Sequence, residues 1–398
     1  MTAQGKIAIF WVMIMFNRLL KINKTNQKSF FLLGPRGTGK TNWVKKHFPE
    51  ALYIDLLKHR DFIFLQTDPS RLETMVLAHS SPWTIIDEVQ KVPALLDEVH
   101  RLIEHHQQYF ILTGSSSRKL KRGSANLLAG RALTYHMHPL TATEIGESFD
   151  LSKALSYGLL PSSYLEADPK SYLESYVATY LHEEVMQEGM VRNIGAFNRF
   201  MEIASFSQGC QLNLSNLARE VGVSRKVIAS YFEILEDLLI ALQVPLFTKR
   251  AQRSLTQHPK FYYFDTGVFR QLRPKGPLDT PEEIGGAALE SLFLQHLRAV
   301  IDSYKLDLSI YFWRTRTGIE IDFVLYGEKG LFAFELKSKQ YIERKDFSAL
   351  RVFKQDYPMA QCYLIYGGDR IEKYEEITAL PIRQTLFKLP ELLGFTND

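Results

Sequence analysis

One stretch of the chain has the residue types and spacing of a phosphate-binding loop. It runs from Gly34 to Thr41, follows the apolar segment Phe30–Leu33, and precedes a helical pattern, so it fulfils G-x-x-x-x-G-K-[ST] in the expected context. Glycines let backbone N–H groups surround phosphates, Lys40 would reach the β- and γ-phosphates of ATP, and the Thr41 hydroxyl would bind Mg²⁺. The predicted loop comprises Gly34, Pro35, Arg36, Gly37, Thr38, Gly39, Lys40 and Thr41. The alternative is an ordinary glycine-rich turn before a helix.

A pair of acids follows a second apolar segment. Asp87 and Glu88 end the segment Trp83–Ile86, where a parallel sheet would bring them to the phosphate loop. Asp87 would then hold Mg²⁺ through water, and Glu88 would polarise the attacking water. Thr113 ends the next apolar segment and would sense the γ-phosphate. The alternatives are plain surface charges for the acids and a hydroxyl at a strand-to-loop turn for Thr113.

A further pair of acids occurs in a predicted hairpin at residues 317–339. Its Gly-Glu-Lys-Gly turn sets Gly327 opposite Gly330, and this register places Asp322 directly across from Glu335. Opposed like charges destabilise a sheet, so a cation should lie between these carboxylates. A lysine and a metal ion are the two candidates.

Strand alternation divides this hairpin into an apolar face and a charged face. The charged face contains Glu320, Asp322, Glu335 and Lys337, with Glu320 facing Lys337. The apolar face is predicted to contain Ile321, Phe323, Leu325, Phe332, Phe334 and Leu336.

Composition bounds the class of protein. The chain has 398 residues and 45% hydrophobic residues, enough for two to four domains with their own cores. A net charge of +4 permits nucleic-acid binding without requiring it. Two widely separated cysteines fit the cytosol and predict neither a disulfide framework nor structural zinc. The apolar run at residues 7–16 is too short to span a bilayer and lacks a signal-peptide cleavage site, and Met15 is an alternative start.

Two segments after Thr113 differ sharply in composition. Residues 105–143 contain no acid, and their cations could bind the phosphates of a nucleotide or of a nucleic acid, or form a solvated loop. These cations include Arg118, Lys119, Lys121, Arg122 and Arg131. Residues 149–206 show a helical pattern whose tyrosines are interpreted as packing between domains rather than as a base-stacking platform.

A helix-turn-helix pattern follows at residues 212–240. Gly222 permits the tight turn, and Ser224 is the predicted N-cap of the second helix. Two later apolar segments would complete a winged domain in which Arg225 and Lys226 contact DNA phosphates or base edges. The predicted wing adds the cations Lys249, Arg250 and Arg253. Such a domain can also serve only as a packing module, since Glu233, Glu236 and Asp237 dilute its charge.

The nucleotide motifs resemble the AAA-type branch of the phosphate-loop ATPases, with Gly34–Thr41 as Walker A, Ile85–Glu88 as Walker B and Thr113 as first sensor. The stretches "LTGSSSRKLKRGSANLLAGR" and "HPLTATEIG" look like a prokaryotic family of ATP-binding proteins whose C-terminal half is a domain of unknown function, and this resemblance covers nearly the whole chain. It implies that an arginine beyond the sensor, Arg131 or Arg118, reads the γ-phosphate in cis or in trans. No helical lid with a second sensor is recognisable, so a typical AAA ring is not implied and the oligomeric state stays open.

The last region resembles the restriction-endonuclease-like core, in which a helix with Glu precedes a strand with Asp and a strand with Glu-x-Lys. The resemblance implies that Glu290, Asp322 and Glu335 hold one or two Mg²⁺ ions, while Lys337 stabilises the pentavalent phosphate or orients water. The alternative is a degenerate nuclease fold kept for recognition, in which Lys337 only pairs with the acids.

The predicted architecture is α/β with several domains. An N-terminal segment (1–24) precedes a P-loop AAA-like parallel-sheet ATPase domain (25–148), a helical connector (149–206), a winged helix (207–278) and a restriction-endonuclease-like domain (279–398). The predicted function is a cytoplasmic Mg²⁺-dependent ATPase that acts on or is regulated by DNA, without membrane attachment. The alternative is an ATP-binding regulatory or adaptor protein that binds a protein partner. Stimulation of ATP hydrolysis by nucleic acid would separate these two.

Overall fold

The computed structural model describes residues 16–22, 27–116, 128, 130–187, 191, 193–248, 258–276 and 279–395. The strands are β1 (Ser29–Leu33), β2 (Leu52–Asp55), β3 (Trp83–Asp87), β4 (Tyr109–Gly114), β5 (Ala132–His136), β6 (Ala241–Val244), β7 (Lys260–Tyr263), β8 (Leu308–Arg314), β9 (Glu320–Gly327), β10 (Gly330–Lys337), β11 (Gln361–Tyr366), β12 (Glu372–Tyr374) and β13 (Ile377–Pro381). The helices of the first half are α1 (Lys40–His47), α2 (His59–Thr67), α3 (Arg71–Leu77), α4 (Leu95–His106), α5 (Ala142–Ile145), α6 (Leu151–Tyr157), α7 (Pro161–Leu165), α8 (Pro169–Ser175) and α9 (His182–Gln187). Those of the second half are α10 (Ile194–Ser205), α11 (Leu214–Val221), α12 (Arg225–Asp237), α13 (Thr266–Leu272), α14 (Pro281–Tyr304), α15 (Ser348–Asp356) and α16 (Ile382–Leu392). A π-helical stretch, Tyr176–Leu181, joins α8 to α9.

Some sequence predictions fall outside the described residues. They are the apolar run at residues 7–16 with Met15, the basic residues Arg118, Lys119, Lys121 and Arg122, and the wing cations Lys249, Arg250 and Arg253. Among the described helices, none is both long and apolar enough to cross a membrane.

A five-stranded parallel sheet forms the first α/β unit, in the order β2-β3-β4-β1-β5. Strand β1 lies between β4 and β5 and is buried along its whole length, because Phe30 and Leu32 pack on the same side as Trp43, while Phe31 and Leu33 pack on the other side. Burial on both faces explains why β1 reads as a continuous apolar run. The sheet is compatible with the predicted P-loop domain.

The middle region is mostly helical, and its helices α11 and α12 are joined by a tight turn. Gly222 ends α11 in the left-handed conformation (φ 79°), which a side chain would resist, and Ser224 caps α12 by accepting a hydrogen bond from the Val227 N–H. The two helices bury one face each. Strands β6 and β7 then pair antiparallel.

The C-terminal region is built on a six-stranded mixed sheet, in the order β12-β13-β11-β10-β9-β8. The predicted turn is confirmed, since Gly327 pairs with Gly330. Helix α14 covers one face through Phe293, which contacts Phe323 and Phe334. Helix α15 packs on the other face of the sheet.

The prediction of which side chains share a face of this hairpin is wrong at the end away from the turn. The pairing of β9 with β10 stops at Phe323–Phe334, so Asp322 and Glu335 do not form a ladder pair, and neither do Glu320 and Lys337. A register shift between β8 and β9 inserts an extra residue of β9, as in a β-bulge. Ile321 therefore packs with Val324 on the α15 face instead of with Phe323.

Candidate functional site

The loop after β1 has the backbone of a phosphate-binding turn. Gly37 and Gly39 both take positive φ values, 84° and 93°, which glycine adopts without strain. A Cβ at Gly34 would lie only 2.3 Å from the Met137 carbonyl oxygen, so this position also requires glycine. Gly39 caps α1 without any side-chain hydrogen bond. The first-turn amides of α1 are therefore free of a side-chain cap at the end that attracts anions.

Lys40 is a buried cation whose nearest partners are the carbonyl groups of the loop. Its Nζ donates to Gly34 O at 2.7 Å and to Pro35 O at 3.1 Å. Burial lowers the pKa of Lys40, while the Glu88 and Asp87 carboxylates act against that shift. The ammonium group can exchange these neutral acceptors for phosphate oxygens without breaking an ion pair.

Two predicted site residues, Thr41 and Thr113, converge on the carboxylate of a third, Asp87. Asp87 Oδ2 accepts a hydrogen bond from Thr41 Oγ1 at 2.8 Å, and Asp87 Oδ1 accepts one from the Thr113 hydroxyl. Tyr53 on β2, which the sequence analysis missed, donates to Asp87 Oδ2 at 2.5 Å. Burial and then this hydrogen bond raise the pKa of Tyr53, so it stays a neutral donor. The hydroxyl and carboxylate oxygens are hard donors of the kind that Mg²⁺ prefers.

Glu88 is positioned by an uncommon backbone conformation. Its φ of 62° lies in the left-handed region, which costs a non-glycine residue about 1 kcal/mol. Its N–H donates to Thr113 Oγ1 at 3.2 Å, its carboxylate accepts a hydrogen bond from Gln90, and Ser115 Oγ lies 3.4 Å from Glu88 Oε2. The carboxylate is thus held at the same edge of the sheet as Lys40 and Asp87. Gln90 and Ser115 carried no recognisable sequence signal.

Residues from outside the sheet brace the phosphate loop. Arg18 donates to Thr38 O at 2.7 Å and to His138 O at 2.5 Å, and its Nε pairs with Glu144 at 2.9 Å. Tyr176 donates to Arg36 O at 2.9 Å. The Arg18 side chain was not predicted to take part in the site.

Arg131 lies at the amino-terminal ends of the parallel strands, whereas the phosphate loop lies at their carboxyl ends. This position contradicts the predicted role of Arg131 in cis. It immediately precedes β5, whose first residue pairs with Ser29 at the start of β1, whereas the phosphate loop follows the end of β1. Arg131 forms an ion pair with Glu104 on α4 instead. It does not reach the phosphate loop of its own chain.

The C-terminal acids surround a lysine that the sequence analysis missed. Lys260 on β7 is buried, with its Nζ 2.5 Å from Glu320, 3.4 Å from Asp322 and 3.8 Å from Glu290. Burial acts to lower the pKa of Lys260, but the three carboxylates outweigh it and the pKa is raised. Tyr262 also donates to Glu290 at 2.7 Å. We call Glu290, Glu320, Asp322 and Glu335 the carboxylate cluster.

The fourth acid of the cluster pairs with the predicted lysine. Lys337 Nζ lies 2.7 Å from Glu335 Oε1, while the buried Glu335 Oε2 has no hydrogen-bond partner. Asp322 Oδ2 accepts the Leu336 N–H at 2.9 Å. Burial and then Asp322 raise the pKa of Glu335, and the same two causes raise that of Glu290.

The carboxylate cluster and Lys337 therefore lie near one another, with Lys260 paired to three of the four acids. Within the described ranges, no group of three or more His, Cys, Asp or Glu side chains is arranged to hold a metal ion.

The predicted DNA-contacting residues lie on the surface. Arg225 and Lys226 are both exposed and form the first turn of α12, immediately after the Ser224 cap.

Comparisons with known proteins match three consecutive regions of the chain. The family model "AAA domain" matches residues 26–146, "Domain of unknown function (DUF8612)" matches 148–279, and "Domain of unknown function (DUF4143)" matches 285–385. An uncharacterized protein of Mycobacterium tuberculosis is 28% identical over 374 residues, which are 89% of this chain and 80% of that protein. An uncharacterized protein of Methanocaldococcus jannaschii is 25% identical over 356 residues, 78% of this chain and 75% of that protein.

A search of solved structures gives a distant similarity. A Vibrio cholerae protein of known crystal structure aligns over 92% of this chain and 93% of its own with 11% identity, but the TM-score of 0.19 is too low to indicate a shared fold. The family matches support an AAA-type, nucleotide-binding ATPase-like domain followed by regions similar to two domains of unknown function.

Proposed function

We propose that this chain is a cytosolic Mg²⁺-dependent ATPase whose reaction takes place at the phosphate loop. The observation that carries the proposal is the convergence of Thr41 and Thr113 on Asp87, beside the buried cation Lys40. A helix start, a cation, an acid and two hydroxyl groups are the set that phosphoryl transfer requires. The match of residues 26–146 to the AAA domain supports the same conclusion.

Each residue has a separate part in the proposed reaction. Lys40 and the first-turn amides of α1 would bind the phosphates and stabilise the charge that develops on them. Thr41 and Asp87 would hold Mg²⁺, which neutralises phosphate charge when bound. Glu88, whose carboxylate accepts a hydrogen bond from Gln90, would orient the attacking water and accept its proton.

Two substitutions test the assignment. Lys40→Ala should abolish ATP binding or turnover, and Glu88→Gln should keep binding while slowing hydrolysis by about 100-fold or more. Lys46→Ala is the matched control, because Lys46 lies on the same helix α1 but is exposed. Turnover that is unchanged in both Lys40→Ala and Glu88→Gln would refute an ATPase centred on this loop.

DNA is the proposed partner, supported by the exposed Arg225 and Lys226 in the second helix of the helix-turn-helix. Cations at the start of such a helix fit the phosphate and base-edge contacts of DNA-binding domains. The competing function is an adaptor that binds another protein through the same region. Stimulation of ATP hydrolysis by duplex DNA favours the first, and its absence favours the second.

A divalent-cation site in the carboxylate cluster is the second candidate; its side chains as placed do not form a metal-binding group, so they would have to rearrange around the ion, and the unpartnered buried oxygen Glu335 Oε2 supports this. Glu335, Asp322 and Glu290 would be its ligands, and Lys337 would stabilise a phosphate group nearby. Such a site would give the nuclease activity that the resemblance to the restriction-endonuclease-like core implies. DNA cleavage assayed with Mg²⁺ or Mn²⁺, with and without ATP, tests this activity.

A further inference from the structure

A carboxylate from outside the first sheet enters the nucleotide site. Glu184 on α9 accepts a hydrogen bond from Ser115 Oγ at 2.9 Å, and the same hydroxyl lies 3.4 Å from Glu88 Oε2. The Glu184 side chain is only 13% exposed. It therefore lies on the side of the site where Glu88 would meet the terminal phosphate.

Glu184 also pairs with a cation of the phosphate loop. Arg36 Nη1 lies 3.7 Å from Glu184 and 3.6 Å from Glu183, and the Arg36 guanidinium lies 4.3 Å from the centre of the Tyr180 ring. Tyr176 donates to the Arg36 carbonyl. Residues 176–184 are thus held on the loop largely through Arg36.

The charge of Glu184 is costly where it lies. Burial and then the Glu88 carboxylate raise the pKa of Glu184, while Ser115, Arg36 and Lys40 oppose this shift. The cations that compensate for Glu184 are those that phosphate groups would use. The terminal phosphate of a triphosphate would add negative charge beside Glu88. A diphosphate has no phosphate group there, so Glu184 remains the negative group next to Glu88.

We propose that Glu184 is a specificity-determining residue that lets the site discriminate between nucleoside diphosphates and triphosphates. The proposal rests on the proposed function of the phosphate loop. With a diphosphate bound, Glu184 keeps its contacts with Ser115 and Arg36. With a triphosphate bound, the terminal phosphate takes Arg36 and repels Glu184, so residues 176–187 leave the loop.

Equilibrium binding of two nucleotides tests this inference. ADP and a non-hydrolysable ATP analogue, each with Mg²⁺, are titrated against the wild type, Glu184→Gln and Glu183→Gln. Glu184→Gln keeps an acceptor for Ser115 but removes one charge, so it should strengthen analogue binding about tenfold and ADP binding less than about twofold. Glu183→Gln is the control on the same helix, because Glu183 also pairs with Arg36 but is 50% exposed to screening solvent.

The outcomes separate the two proposals. Equal changes for both nucleotides, or no change in Glu184→Gln, overturn the role of Glu184 and leave it as a structural partner of Ser115. A wild type that binds neither nucleotide, or a Lys40→Ala variant that binds both normally, refutes the proposed function and this inference together. Amide hydrogen exchange gives a second measurement, since residues 176–187 should exchange faster with the analogue than with ADP. Equal exchange in the two states also overturns the inference.

Discussion

A buried histidine at the junction between the first α/β unit and helix α14 gives a sharp pH prediction. His296 is fully buried, and its Nε2 accepts the Ala142 N–H at 2.9 Å, so its Nδ1 carries the proton and donates to Leu292 O at 2.8 Å. If the ring were protonated, its Nε2–H would face the Ala142 N–H, and two hydrogen-bond donors would then oppose each other. Burial accordingly lowers the pKa of His296 from 6.5 to about 4.

The sign and size of the effect follow from this shift. The unfolded chain binds a proton at His296 below about pH 6.5, whereas the folded chain does so only below about pH 4. The free energy of unfolding therefore keeps this contribution above pH 6.5 and loses it as the pH falls toward 4. Between pH 7.5 and pH 5 the loss amounts to about 2 kcal/mol.

His296→Gln isolates this contribution, because the Gln oxygen can still accept from Ala142 N–H but the side chain cannot be protonated. Unfolding is measured by thermal melts and urea titration at pH 7.5 and pH 5. The wild type should lose about 2 kcal/mol more than His296→Gln, or about 2–4 °C in melting temperature. His59→Gln, at an exposed histidine of α2, should keep the wild-type pH dependence. An equal loss in wild type and His296→Gln would refute the neutral, buried imidazole.

Three further predictions concern the carboxylate cluster and the helix-turn-helix. Asp322→Asn should lower the free energy of unfolding of the metal-free protein by about 1–3 kcal/mol, because Asp322 pairs with Lys260. The same substitution should abolish any rise in melting temperature caused by Mn²⁺. A wild type whose melting temperature does not change with Mn²⁺ would refute the metal-site hypothesis. Lys260→Met should destabilise the protein by about 3 kcal/mol at pH 8, since it leaves buried carboxylates uncompensated. Lys329→Met, at an exposed lysine of the hairpin turn, is the control and should not destabilise it. Equal melting temperatures for the two variants would refute the pairing of Lys260 with the carboxylate cluster. DNA affinity should fall steeply with salt and weaken in Arg225→Ala and Lys226→Ala, and an affinity unchanged in both variants would place the contact elsewhere.

The phosphate loop and the helix-turn-helix could be predicted because each depends on residues close together in sequence. A strand, the motif Gly34–Thr41 and a helix follow one another without interruption, and Gly222 and Ser224 mark their turn by local backbone chemistry. The convergence of Asp87 on Thr41 followed from a general property of parallel sheets, whose carboxyl ends share one edge. The same reasoning could have placed Arg131 correctly, because a residue that precedes a parallel strand lies at the other edge.

The residues that were missed act over long sequence distances. Arg18 braces the phosphate loop from the N-terminal segment, and Glu184 enters from the helical region. Each is a single charged residue with no motif around it, in a chain where charged residues are common. Only tertiary packing brings Arg18, from the N-terminal segment, and Glu184, from α9, to the loop.

The cation beside the hairpin acids Asp322 and Glu335 could not be identified from the local sequence pattern. A register shift in β9 removes Asp322 from the ladder, and its carboxylate accepts the Leu336 N–H where ordinary strand pairing has ended. Among the described residues, Asp322 pairs with Lys260 on β7, the second strand after the helix-turn-helix. A divalent ion bound by Asp322 and Glu290 would compete with Lys260 for the same oxygens. A metal ion in the carboxylate cluster would therefore displace Lys260 and change the contacts of β7. The ion pairs of Lys260 with Glu290 and Asp322 thus connect the middle region electrostatically to the C-terminal region.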